Sequence, residues 1–168
     1  MSERPAPSVV VRPARPSDVE TICEFIAGLA AYERLEHQLD LCPDRLREHL
    51  FGAVPACSAL LAEVDGEPIG FALFFRSYST FRMRPCLYLE DLFVLPERRG
   101  LGAGIALLRE VAREAVRQGC PRLDWSVLDW NEPAIRFYER QGARVMPDWR
   151  VCRLEGDALT AAADVAKS

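Results

Sequence analysis

The sequence predicts a mixed α/β fold: a twisted sheet with an antiparallel N-terminal half and one parallel step, flanked by helices. Two apolar runs, 58–64 and 68–78, are joined by Asp65-Gly66, a dipeptide that readily takes the positive φ angles of a type I′ hairpin turn. A third apolar run, 86–94, ends at Pro96, so the middle of the chain reads as an antiparallel meander. A glycine-rich turn then leads into a long amphipathic helix and a further strand segment, the pattern of a crossover to a parallel strand. At 168 residues the chain fits one domain, 1–168, with an ordered core of about 8–155.

The elements follow in order. Residues 8–12 have the β-branched content of a strand, in three consecutive valines, and Ser17-Asp18-Val19-Glu20 reads as the capping box of a helix over 18–34. Val19, Ile22, Cys23, Ile26, Leu29 and Ala30 repeat along that helix with a period of 3.6. Pro43 opens a shorter helix with Leu46, Leu50 and Phe51 turned inward. The loop before the third strand carries Arg82, Arg84 and Pro85. In the long helix Ile105, Leu108, Val111, Ala112 and Ala115 face inward, opposite Arg109, Arg113, Glu114 and Arg117, and Gly119 ends it. A strand over 122–128, a helix over 132–141 closed by Gly142 and a strand pair over 144–154 are expected next, and the alanine-rich tail 157–168 is expected to fray.

Composition excludes several classes. With 49% hydrophobic and 27% charged residues the chain is not disordered, and a net charge of −4 leaves no basic stripe for nucleic acid and favours a cationic partner. Uncharged stretches such as 25–32 and 69–75 fall far short of the roughly 20 residues of a membrane helix, so no membrane partner is expected. The N-terminal residues lack the features of a secretory signal, and a cytoplasmic location is expected. Six cysteines are scattered without CxxC spacing or paired histidines, which predicts reduced, mostly buried thiols and neither disulfides nor a metal site. His37 and His49 read as solvated. Trp125, Trp130 and Trp149 read as packing residues, with Trp149 also a candidate wall for an amine pocket.

The strongest chemical signal is Arg98-Arg99-Gly100-Leu101-Gly102-Ala103-Gly104. Glycines at the mouth of a helix let backbone N–H groups approach an anion, and the helix start adds about half a positive charge. A phosphate-bearing ligand fits; a tight turn needing glycine for packing is the plainer reading. No Gly-Lys-Ser/Thr follows, which argues against nucleotide hydrolysis, and the GxGxG spacing after a meander differs from the dinucleotide GxGxxG.

Glu90 and Asp91 stand side by side in an apolar strand, where ionised carboxylates are costly unless paired or solvated. Strand alternation puts one on each face; a β-bulge would instead aim side chains into a cleft; an edge strand carrying charge against aggregation is the third reading. Asn131 is placed to cap the helix that starts with Glu132 and Pro133, and Tyr138 joins Ala134 and Ile135 on a stripe that also suits a core aromatic. No histidine lies near Cys120 in the pattern, so a cysteine nucleophile is not expected.

The spacing Arg99-x-x-Gly102-x-Gly104 resembles the Arg/Gln-x-x-Gly-x-Gly/Ala pyrophosphate motif of the GNAT superfamily of N-acetyltransferases, and the resemblance extends over residues 9–154. Within that family, Ala31-Tyr32-Glu33, Leu87 to Asp91, and Val127 to Pro133 leading to Phe137-Tyr138 are similar to the diamine (spermidine/spermine) and thialysine acetyltransferases. The resemblance implies the GNAT fold, acetyl-CoA as cofactor and a homodimer. It implies that the backbone of Leu92, Phe93 and Val94 pairs with the pantetheine arm, and that Arg99, Gly100, Leu101, Gly102, Ala103 and Gly104 hold the pyrophosphate. By the same resemblance Asn131 contacts the cofactor near its acetyl end, Pro133 and Ala134 also bind the cofactor, Tyr138 binds it and protonates the departing thiolate, and Tyr32, Glu33, Glu90 and Asp91 face the amine.

An alkylamine of pKa near 10.4 is neutral in only about one molecule per few thousand at pH 7, and only that form attacks a thioester, so a base is needed. Glu90 is the expected base, directly or through water, with Asp91 or Glu33 holding a second cationic end. The expected activity is transfer of acetyl to a polyamine, diamine or lysine analogue by direct attack in a ternary complex. Acetylation of protein or peptide amines is one alternative. A non-catalytic acyl-CoA sensor is another, with no need for Glu90, Asp91 and Tyr138 together. Against the animal diamine enzymes the Asp65-Gly66 turn is tight and the segment 143–149 short, with Asp148 its one acidic residue.

Overall fold

The computed structural model describes residues 8–163. Residues through Ser126 form one compact unit and those from Val127 a second. The first unit holds β1 (Val9–Pro13), α1 (Val19–Glu33), α2 (Pro43–Phe51), β2 (Ser58–Val64), β3 (Glu67–Ser79), β4 (Arg84–Val94), α3 (Ala103–Arg117) and β5 (Leu123–Asp124). The strands form one sheet in the order β1-β2-β3-β4-β5; the first four are antiparallel and β5 joins β4 in parallel. The mixed sheet expected from the sequence is therefore the observed one.

The hairpin turns where the sequence says. Asp65 and Gly66 both take positive φ, 53° and 80°, as a type I′ turn requires. β2 is buried at four consecutive positions and β3 at six, the pattern of a sheet covered on both faces. Over one face Ile22 and Phe25 of α1 and Leu50 of α2 close on Leu61, Phe71, Leu73 and Phe93. The fit is close: a Cβ on Gly28 of α1 would lie 2.9 Å from the Phe93 ring. α3 lies across β1 to β4, burying Ala103, Leu107, Leu108, Val111 and Ala115. Leu107 belongs to that face and Ala112 does not, because Ala112 lies beside the exposed Arg109, Arg113 and Val116.

The expected capping box is not formed. A 3-10 turn over Pro16–Asp18 precedes α1, and Asp18, not Ser17, stands at the helix boundary. Its carboxylate accepts from the Arg15 backbone N–H at 2.6 Å and from both Nη atoms of Arg12 at 2.7 and 3.0 Å. Glu20 pairs with Arg47 instead. Arg12 also binds Glu63, so one guanidinium from β1 ties together the start of α1 and the strand β2.

These contacts hold the Asp18 carboxyl below its ordinary value, chiefly through the Arg12 hydrogen bond. A depressed carboxyl stabilises the fold above its unfolded pKa and loses that contribution as pH falls through the folded value. Arg12→Met leaves two part-buried carboxylates without a cation. It is expected to cost about 3 kcal/mol at pH 7 in urea denaturation, with the difference shrinking toward pH 3 as both carboxyls protonate.

Three further expectations are corrected. The strand expected over 122–128 is only Leu123–Asp124, for a reason given below. The pair expected over 144–154 is not formed among the described residues: Pro147 lacks an N–H, and a lone two-stranded ribbon is marginal in water. Trp149 and Val151 are 73% and 77% exposed there. The second unit contains α4 (Glu132–Arg140) and α5 (Gly156–Ala163), so the described part of the tail is helical rather than frayed. The end of that tail, after 163, lies outside the described residues. Of the six free thiols only Cys23 and Cys86 are buried; Cys152 is exposed, so the cysteines are less buried than expected. His37 and His49 are exposed, as the sequence suggests. No helix is long and apolar enough to cross a membrane among the described residues.

Candidate active site

The site in the first unit begins with a defect in the sheet. Along the β3–β4 ladder Leu73 faces Asp91 and the next residue, Phe74, faces Leu89, so Glu90 is an extra residue on β4 without a partner. This is a β-bulge, one of the three geometries open to the Glu90-Asp91 pair, and bulges bend a strand and re-aim its side chains. The parallel pairing of β4 with β5 stops at Tyr88↔Asp124, two residues before the bulge. A bent β4 diverges from β5, which is why β5 is short. The stretch from Leu89 to Val94 is then left with β3 on one side and no strand on the other among the described residues.

Glu90 is exposed, and Asp91 and Leu92 are half-buried. Partial burial pushes the Asp91 carboxyl up to about 7, with further upward contributions from the negative charges of Glu90 and Glu33. Glu33, the last residue of α1, is also raised, by burial. Arg34 follows it with φ 61°, a left-handed helix end. Among the described residues none of Glu33, Glu90 and Asp91 is ion-paired with a basic group. Three neighbouring carboxylates without a counter-charge form an electrostatic well for a cation.

After β4 the chain makes a 3-10 turn over Pro96–Arg98 and reaches Gly100 and Gly102, with φ of 85° and 88°. A Cβ at either glycine would meet nothing within 4 Å, so the backbone angle and not packing demands glycine there. The plainer reading of the turn, glycine for close packing, is not supported at these two positions. Gly102 is the N-cap of α3, and the amides of Ala103, Gly104 and Ile105 have no acceptor within the helix. Leu101 between the glycines is 38% exposed.

The arginines are not both available as donors. Arg98 is paired with Glu67 at 2.6 Å. Arg99 donates from Nε to the Val94 carbonyl at 3.3 Å, and its guanidinium carbon lies 4.7 Å from the centroid of the Tyr32 ring. Nothing in the sequence announces that Arg99–Tyr32 contact, because the two residues come from distant segments. The same holds for Tyr88, whose hydroxyl shares a 2.7 Å hydrogen bond with Ser126.

In the second unit Asn131 caps α4, its Oδ1 accepting from the Ala134 N–H at 3.3 Å, with Pro133 in the first turn. Asn131 is buried. Tyr138 is half-buried and meets Phe137 edge-on at 5.2 Å. Burial raises the Cys120 thiol, against nucleophilic use.

The structure thus brings Tyr32, Glu33, Glu90, Asp91, Leu92 to Val94 and Arg99 to Gly104 together within one unit, and gathers Asn131, Pro133, Ala134 and Tyr138 on one helix of the other. The first unit thus carries an open strand edge, a helix start with free amides and an acidic well.

Comparison with known proteins agrees. The model of the Acetyltransferase (GNAT) family matches residues 24–143. The thialysine N-epsilon-acetyltransferase of Bos taurus is 38% identical over 162 residues, 90% of this chain and 95% of the relative. L-ornithine N5-acetyltransferase NATA1 of Arabidopsis thaliana is 33% identical, over 90% of this chain and 86% of its own length. Among solved structures an integron cassette protein of V. cholerae superposes with a TM-score of 0.77 at 24% identity, covering 94% of this chain and 98% of that one, a likeness of fold. By class the protein is an acetyltransferase. The chain belongs to the GNAT family.

Proposed function

We propose that the protein transfers acetyl from acetyl-CoA to a primary amine of a small cationic substrate, a polyamine, diamine or lysine analogue, by direct attack in a ternary complex. The observation that carries this reading is the set of three carboxylates, Glu33, Glu90 and Asp91, without a basic partner among the described residues, beside the stretch of β4 that β5 does not pair. The relatives point the same way, since thialysine and ornithine, named as substrates of two of them, are small amino-bearing cations.

The residues then divide the work. The backbone of Leu92, Phe93 and Val94 offers hydrogen bonds to an extended pantetheine arm, as an added strand would use them. The amides and cation of Arg99 to Gly104 take the diphosphate. Asn131, Pro133 and Ala134 at the start of α4 serve the acetyl end. Glu90, the bulged residue, takes the amine proton directly or through a water, and the charges of Asp91 and Glu33 hold the second cationic end beside Tyr32. Acetyl-CoA, when bound, would supply a thioester open to attack by the neutral amine, and Tyr138 would give its proton to the departing sulfur. The proposed assembly is a homodimer.

The reading is tested by thiol release from acetyl-CoA against polyamines, diamines, thialysine, ornithine, aminoglycosides and peptides. Turnover of small diamines or lysine analogues is expected. Turnover of peptides alone favours the protein acetyltransferase, and cofactor binding without any turnover favours the acyl-CoA sensor. A thiolate is a good leaving group, so Tyr138→Phe is expected to lower kcat on the order of 10²-fold without abolishing it, in steady-state kinetics.

A further inference from the structure

Arg99 fills two positions at once. Its Nε donates to the Val94 carbonyl and its guanidinium covers the Tyr32 ring. The ladder gives the direction of that carbonyl. A Cβ on Gly70 would lie 2.5 Å from the Phe93 carbonyl oxygen, so the Phe93 carbonyl faces β3. Successive carbonyls of a strand point to opposite sides, so that of Val94 turns to the edge that β5 leaves open. Arg99 therefore occupies an acceptor on the open edge and, with the same side chain, the face of the aromatic ring next to Glu33.

We infer that Arg99 is a place-holder for the amine: coenzyme A draws its guanidinium off Tyr32 onto the diphosphate, and the ammonium group of the substrate takes the vacated ring face. The inference rests on the acetyl-CoA reading above and adds a coupling between its two ligands. A ring face that holds a guanidinium at 4.7 Å is shaped for a cation. The neighbouring carboxylates of Glu33, Glu90 and Asp91 have no base of their own among the described residues, which favours replacing the departing cation by another. A diphosphate competes well for the arginine, because a charged, fork-shaped pair is stronger than a ring contact. Withdrawal of Arg99 also releases the Val94 carbonyl for the added strand. Cofactor binding thereby prepares both halves of the site, and linkage requires the amine to strengthen cofactor binding by the same factor.

The experiment is calorimetric titration of 1,4-diaminobutane into the whole protein, with and without saturating coenzyme A, which binds without turnover. Wild type is expected to bind the diamine about 3- to 30-fold more tightly with coenzyme A present, the range of one cation–ring contact. Arg99→Gln keeps an N–H donor for Val94 and removes the cation. It is expected to bind the diamine without coenzyme A as tightly as wild type does with it, and the coupling falls to about one. Tyr32→Leu is expected to weaken the diamine and remove the coupling, with Tyr32→Phe restoring both. Wild-type coupling retained in Arg99→Gln, or diamine affinity indifferent to coenzyme A in wild type, overturns the exchange and leaves acetyl transfer standing. A wild type that binds no coenzyme A overturns both.

Discussion

Asp91→Asn is expected to make the protein more stable at pH 8 and a far poorer enzyme. The Asp91 carboxyl is pushed up to about 7, first by burial and then by the charges of Glu90 and Glu33. A group that holds its proton more tightly in the folded state favours folding below its unfolded pKa and loses that contribution as pH rises through the folded one. From about pH 4 to above pH 7 the ionising Asp91 therefore works against the fold, by up to about 4 kcal/mol at 1.4 kcal/mol per pKa unit. Asparagine keeps the shape and drops the charge, so Tm is expected to rise at pH 8 and stay nearly unchanged at pH 4, by calorimetry at both values.

On the proposed function the same charge that strains the free protein attracts the amine. In wild type, kcat/KM for the amine is expected to rise with pH through an apparent pKa near 7, that of Asp91 in its buried, negatively charged surroundings. Asp91→Asn is expected to remove that limb and lower kcat/KM on the order of 10²-fold or more. Glu90→Gln removes the proposed base and also a like charge beside Asp91, so a loss of the same order is expected while the limb moves to lower pH. An unchanged profile in Glu90→Gln contradicts the role given to Glu90.

Gly102→Val is expected to separate cofactor binding from folding. At φ 88° a β-branched residue is strained, at a cost of about 1–2 kcal/mol. The space around the position is open, so the core does not suffer and the protein still folds, with Tm lowered by a few degrees. Relieving the strain turns the amides at the start of α3 away from the anion. Loss of two charge-assisted hydrogen bonds weakens coenzyme A on the order of 10²-fold, measurable by calorimetry. Gly119→Ala is the control: its φ of 69° carries similar strain at the far end of α3, and affinity for coenzyme A is expected to hold.

Much of this was legible in local chemistry. Asp65-Gly66, Pro43, the glycines 100 and 102 and the Asn131 cap act within a few residues of themselves, and each does in the structure what its residue type dictates. What failed depends on distant segments. Ser17 looked like the cap because the guanidinium that claims Asp18 comes from β1 and also binds β2. The bulge at Glu90 was open as one of three geometries, and only the register against Leu73 and Phe74 decides it. Once β4 bends there, the shortening of β5 follows, though the alternation of apolar Leu123, Trp125 and Val127 with polar neighbours gives no sign of it. Ala112 looked inward because alanine is ambiguous at the margin of a helix face. Arg99 was legible as a cation near the glycines, but its rest position on Tyr32 was not.

The most direct test is a titration of the isotopically labelled protein with coenzyme A, followed through its backbone amide resonances. The largest shifts are expected at residues 99–105, with a second set at Leu92 to Val94. Saturation that leaves those amides unmoved while others shift contradicts the placement of the cofactor, and with it the division of labour built on the open edge of β4.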